Sequence, residues 1–395
     1  MSTNLADRVS SIKESATSAM LAKVTRLKAE GRDIISLNVG EPDFSTPTYI
    51  REAASRMVDY DMITYTPGPG LMPLRQAIAE KLRWENGISC TSANIILAAG
   101  AKQALWSALM AVTGPGDEVI IPTPCYVSYP EMVRMTGATP VTVPLDPTYD
   151  LDVEAISRAV TEATKAIIIC TPCNPTGTVF SEKSLRALSD LALEKDLFVI
   201  ADEIYEKIIY DGRRHVSVAS FSAEAMAHTI TVNGFSKAYA MTGWRIGYAC
   251  ARADIVSAIQ SIQSQITTCV NHISQVAALA ALTGPQEDTE EMRQAFEKRR
   301  DFVQKRLNEI PGLSCPPLTG AFYALFDMTG TIGKSVGGRI ISSDIDFCDS
   351  ILESAGVCMM PGSPYLAPGT VRISYATSLE LLEEAFRRLE KALAD

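Results

Sequence analysis

The chain has 395 residues, 47% hydrophobic and 21% charged, with a formal net charge of -10. That length exceeds one compact core and suits two domains, in a composition ordinary for a soluble globular protein. The acidic balance, with no basic block, argues against nucleic-acid binding, which rests on Lys and Arg against phosphate. No apolar run approaches the roughly 20 residues of a membrane-spanning helix.

From the N-terminus, Met1–Arg8 lacks the basic start and apolar stretch of an export signal. Residues 1–30 have the pattern of an amphipathic helix leading into an extended segment, Ile34–Val39. Short apolar runs then recur as candidate strands: Ile95–Ala99, Glu118–Pro122, Thr139–Val143, Ala166–Cys170, Leu197–Ala201, Thr229–Val232 and Ile246–Cys250. Most lack alternation, as strands buried on both faces do. Helical patterns such as Lys102–Val112, Glu182–Glu194 and Asp254–Gln265 lie between them. Strand and helix in turn predict an α/β fold with a mostly parallel, seven-stranded sheet.

Gly284-Pro285 punctuates the chain. Beyond it come a charged helix over Asp288–Ile310, β-like runs at Ala321–Asp327 and Val371–Tyr375, and a closing helix over Ser378–Leu393. Both termini together are expected to form a smaller α+β domain, residues 1–46 with 286–395, beside a large domain of residues 47–285. The nine cysteines have no disulfide-framework spacing, so a reducing cytoplasm is expected. Cys170-Thr-Pro-Cys173 has CxxC spacing but no second pair or His near it. It reads as small residues at a strand end, and no metal is expected.

Five places after strands could carry chemistry. Lys237, in Phe235-Ser-Lys-Ala-Tyr, is either a solvated lysine or an amine made nucleophilic by burial and a nearby cation such as Arg245. Asp202 ends a buried run and is either a helix N-cap or the partner of a cationic ring N–H beyond the sheet. At Gly100-Ala101-Lys102 small residues turn from strand into helix, where backbone N–H groups can hold phosphate. Asn174, in Asn-Pro-Thr-Gly, is a plain loop residue or an amide aimed at the same crevice. Arg372, in Val371-Arg-Ile-Ser-Tyr, is an exposed edge residue or a fork for a carboxylate.

Taken in order, Gly40-Glu-Pro-Asp-Phe, Tyr65-Thr-Pro-Gly-Pro-Gly, Gly100-Ala-Lys-Gln-Ala, Pro115-Gly-Asp-Glu-Val, Asn174-Pro-Thr-Gly, Asp202-Glu-Ile-Tyr, Ser236-Lys237, Gly243-Trp-Arg-Ile-Gly and Arg372-Ile-Ser-Tyr resemble the class I/II aminotransferases of pyridoxal-phosphate (PLP) fold type I. The match spans nearly the whole chain. Val232-Asn-Gly, Ala240-Met-Thr-Gly-Trp-Arg and Ser374-Tyr-Ala-Thr-Ser resemble the bacterial aspartate aminotransferase branch.

The resemblance implies a site. Lys237 holds PLP as a Schiff base and shuttles a proton between the substrate Cα and the cofactor. Asp202 keeps the pyridine nitrogen protonated, Tyr205 and Asn174 bond its 3′ oxygen, and Tyr126 stacks on the ring. Gly100, Ala101, Lys102, Ser236 and Arg245 belong to the phosphate cup. Tyr65 reaches the phosphate of a second subunit, which implies a homodimer. Arg372, Asn174 and Gly40 clamp the α-carboxylate.

Some positions depart from the pattern: Gly234 stands where many relatives have Ser, and Thr268-Cys-Val-Asn271 replaces the usual Ser-Pro. Lys102 and Ser15-Ala-Thr17 match the branch's distal-group contacts and favour aspartate as donor. The expected reaction is ping-pong amino transfer from an L-amino acid to 2-oxoglutarate. The alternatives are an aromatic, prephenate or broad-range aminotransferase, a PLP-dependent C–S lyase, and a DNA-binding regulator of the same fold.

Overall fold

The structure, a computed structural model, describes Ile12 and residues 14–394; the expected helix over residues 1–30 lies partly outside the described residues, and what is described of it is a helix over Ala16–Ala29. A short strand, β1 (Ile35–Ser36), leads into the central block: β2 (Ile95–Ala98), β3 (Glu118–Thr123), β4 (Thr139–Pro144), β5 (Thr164–Cys170), β6 (Phe198–Asp202), β7 (Thr229–Gly234) and β8 (Gly247–Cys250). These seven form one sheet in the order β2-β8-β7-β6-β5-β3-β4. All seven candidate strands therefore form, with ends shifted by a residue or two.

Helices Ser128–Thr136 and Glu182–Glu194 connect the parallel neighbours β3 and β4, and β5 and β6, while Ala101–Val112 carries the chain from β2 at one edge to β3 and Val153–Ala159 from β4 past β3 to β5. Two of them, Val153–Ala159 and Glu182–Glu194, are capped by their own N-cap side chains. The Asp152 side chain accepts from the Ala155 N–H at 2.8 Å, and Ser181 accepts from the Ser184 N–H at 3.1 Å, satisfying donors that a helix leaves unpaired.

One strand breaks the parallel pattern. β8 runs antiparallel to both β7 and β2. A parallel return needs a crossover, usually helical, whereas β7 returns to β8 through the irregular segment 235–246. That segment is held at both ends at the carboxyl edge of β7, and it carries Lys237 and Arg245.

After the helix Glu287–Glu309, the C-terminal part adds β9 (Tyr323–Asp327), a hairpin of β10 (Ser335–Val336) and β11 (Arg339–Ile340), then β12 (Val357–Cys358), β13 (Met360–Pro361), β14 (Thr370–Ser374) and the helix Leu379–Ala394. β13, β14 and β9 make an antiparallel sheet with β14 in the middle. β12 pairs in parallel with β1, tying the N-terminal segment to this part of the chain. One buried apolar cluster runs from Ile96 and Ile200 of the large sheet through Phe296, Phe322 and Tyr323 to Phe326 and Leu382. The two sheets therefore share a continuous core at the place where the site lies. Among the described residues, no helix is long and apolar enough to cross a membrane.

Candidate active site

A cavity of about 360 Å³ opens beyond the carboxyl ends of the large sheet's strands, where open α/β sheets bind ligands. It is within the usual size for a small-molecule site. Asp202, the last residue of β6, is buried in its floor. Its Oδ2 accepts from the Tyr129 hydroxyl at 2.7 Å and its Oδ1 from the Ile204 N–H at 3.3 Å. Burial pushes its pKa up to about 6, against the pull of those two hydrogen bonds.

Lys237 faces this carboxylate from the segment after β7. Lys237 is half-buried in the cavity wall, and its Nζ donates to the Gly40 carbonyl at 2.6 Å. Burial pulls its pKa down to about 8; the Glu41 carboxylate resists, the Arg245 and Arg372 cations add to the fall, and Asp202 opposes it. The Tyr205 and Phe322 rings lie 6.0 and 5.8 Å from the amine. The sequence left a solvated lysine open; the structure gives one set in the cavity wall.

One end of the cavity is built for an anion. Gly100 caps the helix Ala101–Val112 with φ of 88°. A Cβ there would meet the Arg245 Nη2 at 2.5 Å, and one on Gly247 would meet the Ala101 nitrogen at 2.6 Å. Arg245 itself adopts φ of 52°, a left-handed backbone uncommon outside glycine. Its Nη1 donates to the Thr242 carbonyl at 2.8 Å, and Ser236 is buried beside Lys237. Helix-start N–H groups, a hydroxyl and a guanidinium converge there, which is a phosphate's complement.

The other end is a second cationic pocket. Arg372 sits mid-β14, between two strands rather than at an edge, and is 2% exposed, which removes the exposed-edge alternative. Its Nη1 donates to Asn174 Oδ1 at 3.2 Å and its Nη2 to the Asn38 carbonyl at 2.7 Å. The Tyr323 and Tyr365 rings lie 4.6 and 4.9 Å from the guanidinium. Its Nε is buried with no partner. A buried cation with an unmet donor calls for an anionic ligand. Lys102, at the cavity's mouth, sits 5.3 Å from the Tyr126 ring centroid, and Thr17 lines the same side.

The sequence profile of the aminotransferase class I and II family matches residues 32–389. The chain belongs to this family. Aspartate aminotransferase from Bacillus subtilis (strain 168) is 44% identical over 390 residues, covering 98% of each chain. A probable aspartate/prephenate aminotransferase from Aquifex aeolicus is 43% identical, covering 100% of both. Among solved structures, aspartate aminotransferase from Thermus thermophilus with maleate superposes with a TM-score of 0.93 at 42% identity, covering 99% of this chain and 100% of that one.

The aminotransferase brings Gly40, Ala101, Lys102, Tyr126, Asn174, Asp202, Tyr205, Ser236, Lys237, Arg245 and Arg372 around one cavity, and Gly100 borders it through Arg245. Tyr65 does not join them; its side chain is 86% exposed and outside the cavity. Two residues that sequence reasoning missed are Tyr129, against Asp202, and Tyr323, against Arg372. Tyr129 lies three residues after Tyr126, a weak signal. Tyr323 had none, because its run looked like any buried strand.

Among the described residues, one carboxylate–imidazole group stands out, Glu203, Glu206 and His215, with ligand atoms within 4.8 Å of one another. Protein cations already balance it. Lys81 bonds the Glu206 carboxylate, Asn86 donates to the same group at 2.7 Å, and His215 Nε2 is 2.8 Å from Glu203. Burial would raise the Glu206 pKa, yet Lys81, His215 and Asn86 hold it at about 2.

Proposed function

We propose that this aminotransferase carries PLP on Lys237 and moves an amino group from L-aspartate to 2-oxoglutarate in two half-reactions at one site. The observation that carries the reading is Lys237: a cavity-wall amine with its pKa at about 8, between the Asp202 carboxylate and the Arg245 anion pocket. The residues fit PLP in shape and charge, because the bare Gly100 turn lets the Arg245 guanidinium close on the helix start, where a Cβ would come within 2.5 Å of it, and Asp202 offers a buried carboxylate for a ring N–H. When bound, PLP supplies a reactive carbonyl carbon and an electron-withdrawing ring.

The protein's own groups do the rest. Asp202 would hold a proton on the ring nitrogen, with Tyr129 orienting its carboxylate. Tyr205 and Asn174 would hold the ring oxygen, and Tyr126 would support the ring. Backbone N–H groups at Ala101 and Lys102, with Ser236 and Arg245, would hold the phosphate. Arg372 takes the substrate's α-carboxylate bidentately, sharing it with Asn174 and the Gly40 backbone. This fixes the Cα–H bond beside Lys237 Nζ, a base whose pKa lies near working pH. Nζ would move the proton from Cα to the cofactor's carbonyl carbon, and the opposite way in the second half-reaction.

Support for aspartate comes from the names of the relatives and from Lys102, a cation over the Tyr126 ring at the cavity's edge, placed for a distal carboxylate. Several relatives are named for prephenate as well as aspartate, so prephenate is the second acceptor to examine. A steady-state screen tests the assignment: aspartate with 2-oxoglutarate should turn over well, and no turnover with aspartate but good turnover with phenylalanine would refute it. Titrating the chain with PLP should develop an absorbance band that aspartate shifts.

We propose further a homodimer with shared sites. The support is the exposed run Met62, Ile63 and Tyr65 at 82%, 49% and 86%, unusual for large apolar side chains on a lone chain. The division into residues 1–46 with 286–395 and residues 47–285 remains our proposal for the domains. It is supported by Gly284-Pro285 lying between the helices His272–Thr283 and Glu287–Glu309. A reducing cytoplasm agrees with nine free cysteines, all but Cys269 buried.

A further inference from the structure

Tyr323 stands where the two ends of the cavity meet. It opens β9, is 1% exposed, and follows Ala321, whose φ is 55°. Its ring stacks on the Arg372 guanidinium at 4.6 Å and crosses the Tyr205 ring edge-on at 84° and 5.7 Å. Its hydroxyl lies 3.0 Å from the Tyr205 hydroxyl. It is also wedged against the chain at Gly40, where a Cβ would come within 2.2 Å of it. The phenol is therefore fixed from both sides, and its oxygen can reach only a narrow set of partners.

Either hydroxyl could donate in this pair, but the cavity decides between them. Tyr205 and Tyr323 both line the cavity, and the Tyr205 hydroxyl, the one placed for the ring oxygen, has a single proton to give. If it spends that proton on Tyr323, it can only accept from the cavity. If Tyr323 donates, the Tyr205 proton is free to point at a bound oxygen, and the two bonds in series strengthen one another.

We propose that Tyr323 is a positioning residue that donates to the Tyr205 oxygen and so turns the Tyr205 proton toward the cofactor's ring oxygen. This rests on the reading that PLP binds with that oxygen at Tyr205. No atom of Tyr323 need touch the cofactor. Its hydroxyl acts through Tyr205, while its ring separately supports Arg372.

The test is the pH titration of the bound cofactor's absorbance. A ring oxygen that receives a weaker bond carries more negative charge and holds a neighbouring proton more tightly, so the midpoint rises. Tyr323→Phe keeps the ring, the packing and the Arg372 stack, and deletes only the hydroxyl. Its midpoint should rise by about 0.3–1 pH unit, the size of one modest hydrogen bond. In a Tyr205→Phe background the same change should move the midpoint by no more than about 0.1 unit, since the route is gone. KM for aspartate should stay within about twofold of the unaltered protein's, because the stack that supports Arg372 is retained.

A normal titration in the unaltered protein with an unmoved midpoint in Tyr323→Phe overturns this inference alone. So does an equal shift in the Tyr205→Phe background, which would mean a path not running through Tyr205. If the unaltered protein shows no cofactor absorbance at all, the proposed function fails and this inference falls with it.

Discussion

Replacing Asp202 with Asn should stabilise the cofactor-free protein while disabling it. The carboxylate is buried at the end of β6, and its pKa is raised from 3.8 to about 6, burial outweighing the Tyr129 and Ile204 hydrogen bonds. A folded-state pKa above the unfolded one means that the folded chain holds this proton more tightly. Ionising the group therefore costs folding free energy. The cost is absent below about pH 4 and complete above the folded pKa. The shift of about 2 units corresponds to about 3 kcal/mol.

Asn carries no charge and can still accept from the Ile204 N–H and meet the Tyr129 hydroxyl. Urea unfolding of cofactor-free Asp202→Asn at pH 8 should thus show a gain of up to about 3 kcal/mol over the unaltered protein, shrinking toward zero near pH 4. With PLP present the order should reverse, since only the carboxylate gains a cationic partner. Amino transfer by the variant should drop by at least about a hundredfold, the scale of losing a preorganised charge at the reacting centre. A variant less stable than the unaltered protein at pH 8, or a difference independent of pH, would refute the reasoning.

Lys237→Ala should abolish turnover while leaving PLP bound non-covalently, seen as cofactor that dialyses away with no band shift on adding aspartate; substantial residual transamination would overturn the role of Lys237. Lys102→Ala should raise KM for aspartate about 10-fold or more, the worth of one charge-assisted contact, with little change for alanine; a uniform change across donors would show that Lys102 does not meet the distal carboxylate. Burial lowers the His215 pKa, but Glu203 and then Glu206 outweigh it and leave it raised above 6.5. Its contribution to stability is then fully present below about pH 6.5 and is lost as pH rises through the folded value. Denaturant unfolding of His215→Gln should accordingly fall short of the unaltered protein by more at pH 6 than at pH 9, and the opposite order would mean that the imidazole is buried neutral.

Much of this was legible in the amino-acid order. Strands buried on both faces write themselves as short apolar runs, so the large sheet's strands were located within a residue or two. Their carboxyl ends pointed to Asp202, Asn174 and the Gly100 turn. The antiparallel return of β8 was not legible, because local pattern does not encode strand direction. Nor was the balanced group of Lys81, Glu203, Glu206 and His215, because Lys81 comes from a part of the chain far from the other three.

The residues after each strand marked out Lys237, Asp202, Arg245 and Arg372 as candidates, since side-chain type and local pattern are properties of the chain itself. Whether Lys237 was set in a cavity wall or solvated, and whether Arg372 lay at an edge or mid-sheet, depended on which elements pack together. Only the tertiary structure decided that, because burial and fields from distant groups set a pKa and an orientation. The same holds for Tyr129 and Tyr323. Little in their own segments distinguishes them from core aromatics, and they acquire their places only where β6, β9 and β14 bring Asp202, Tyr205 and Arg372 within reach.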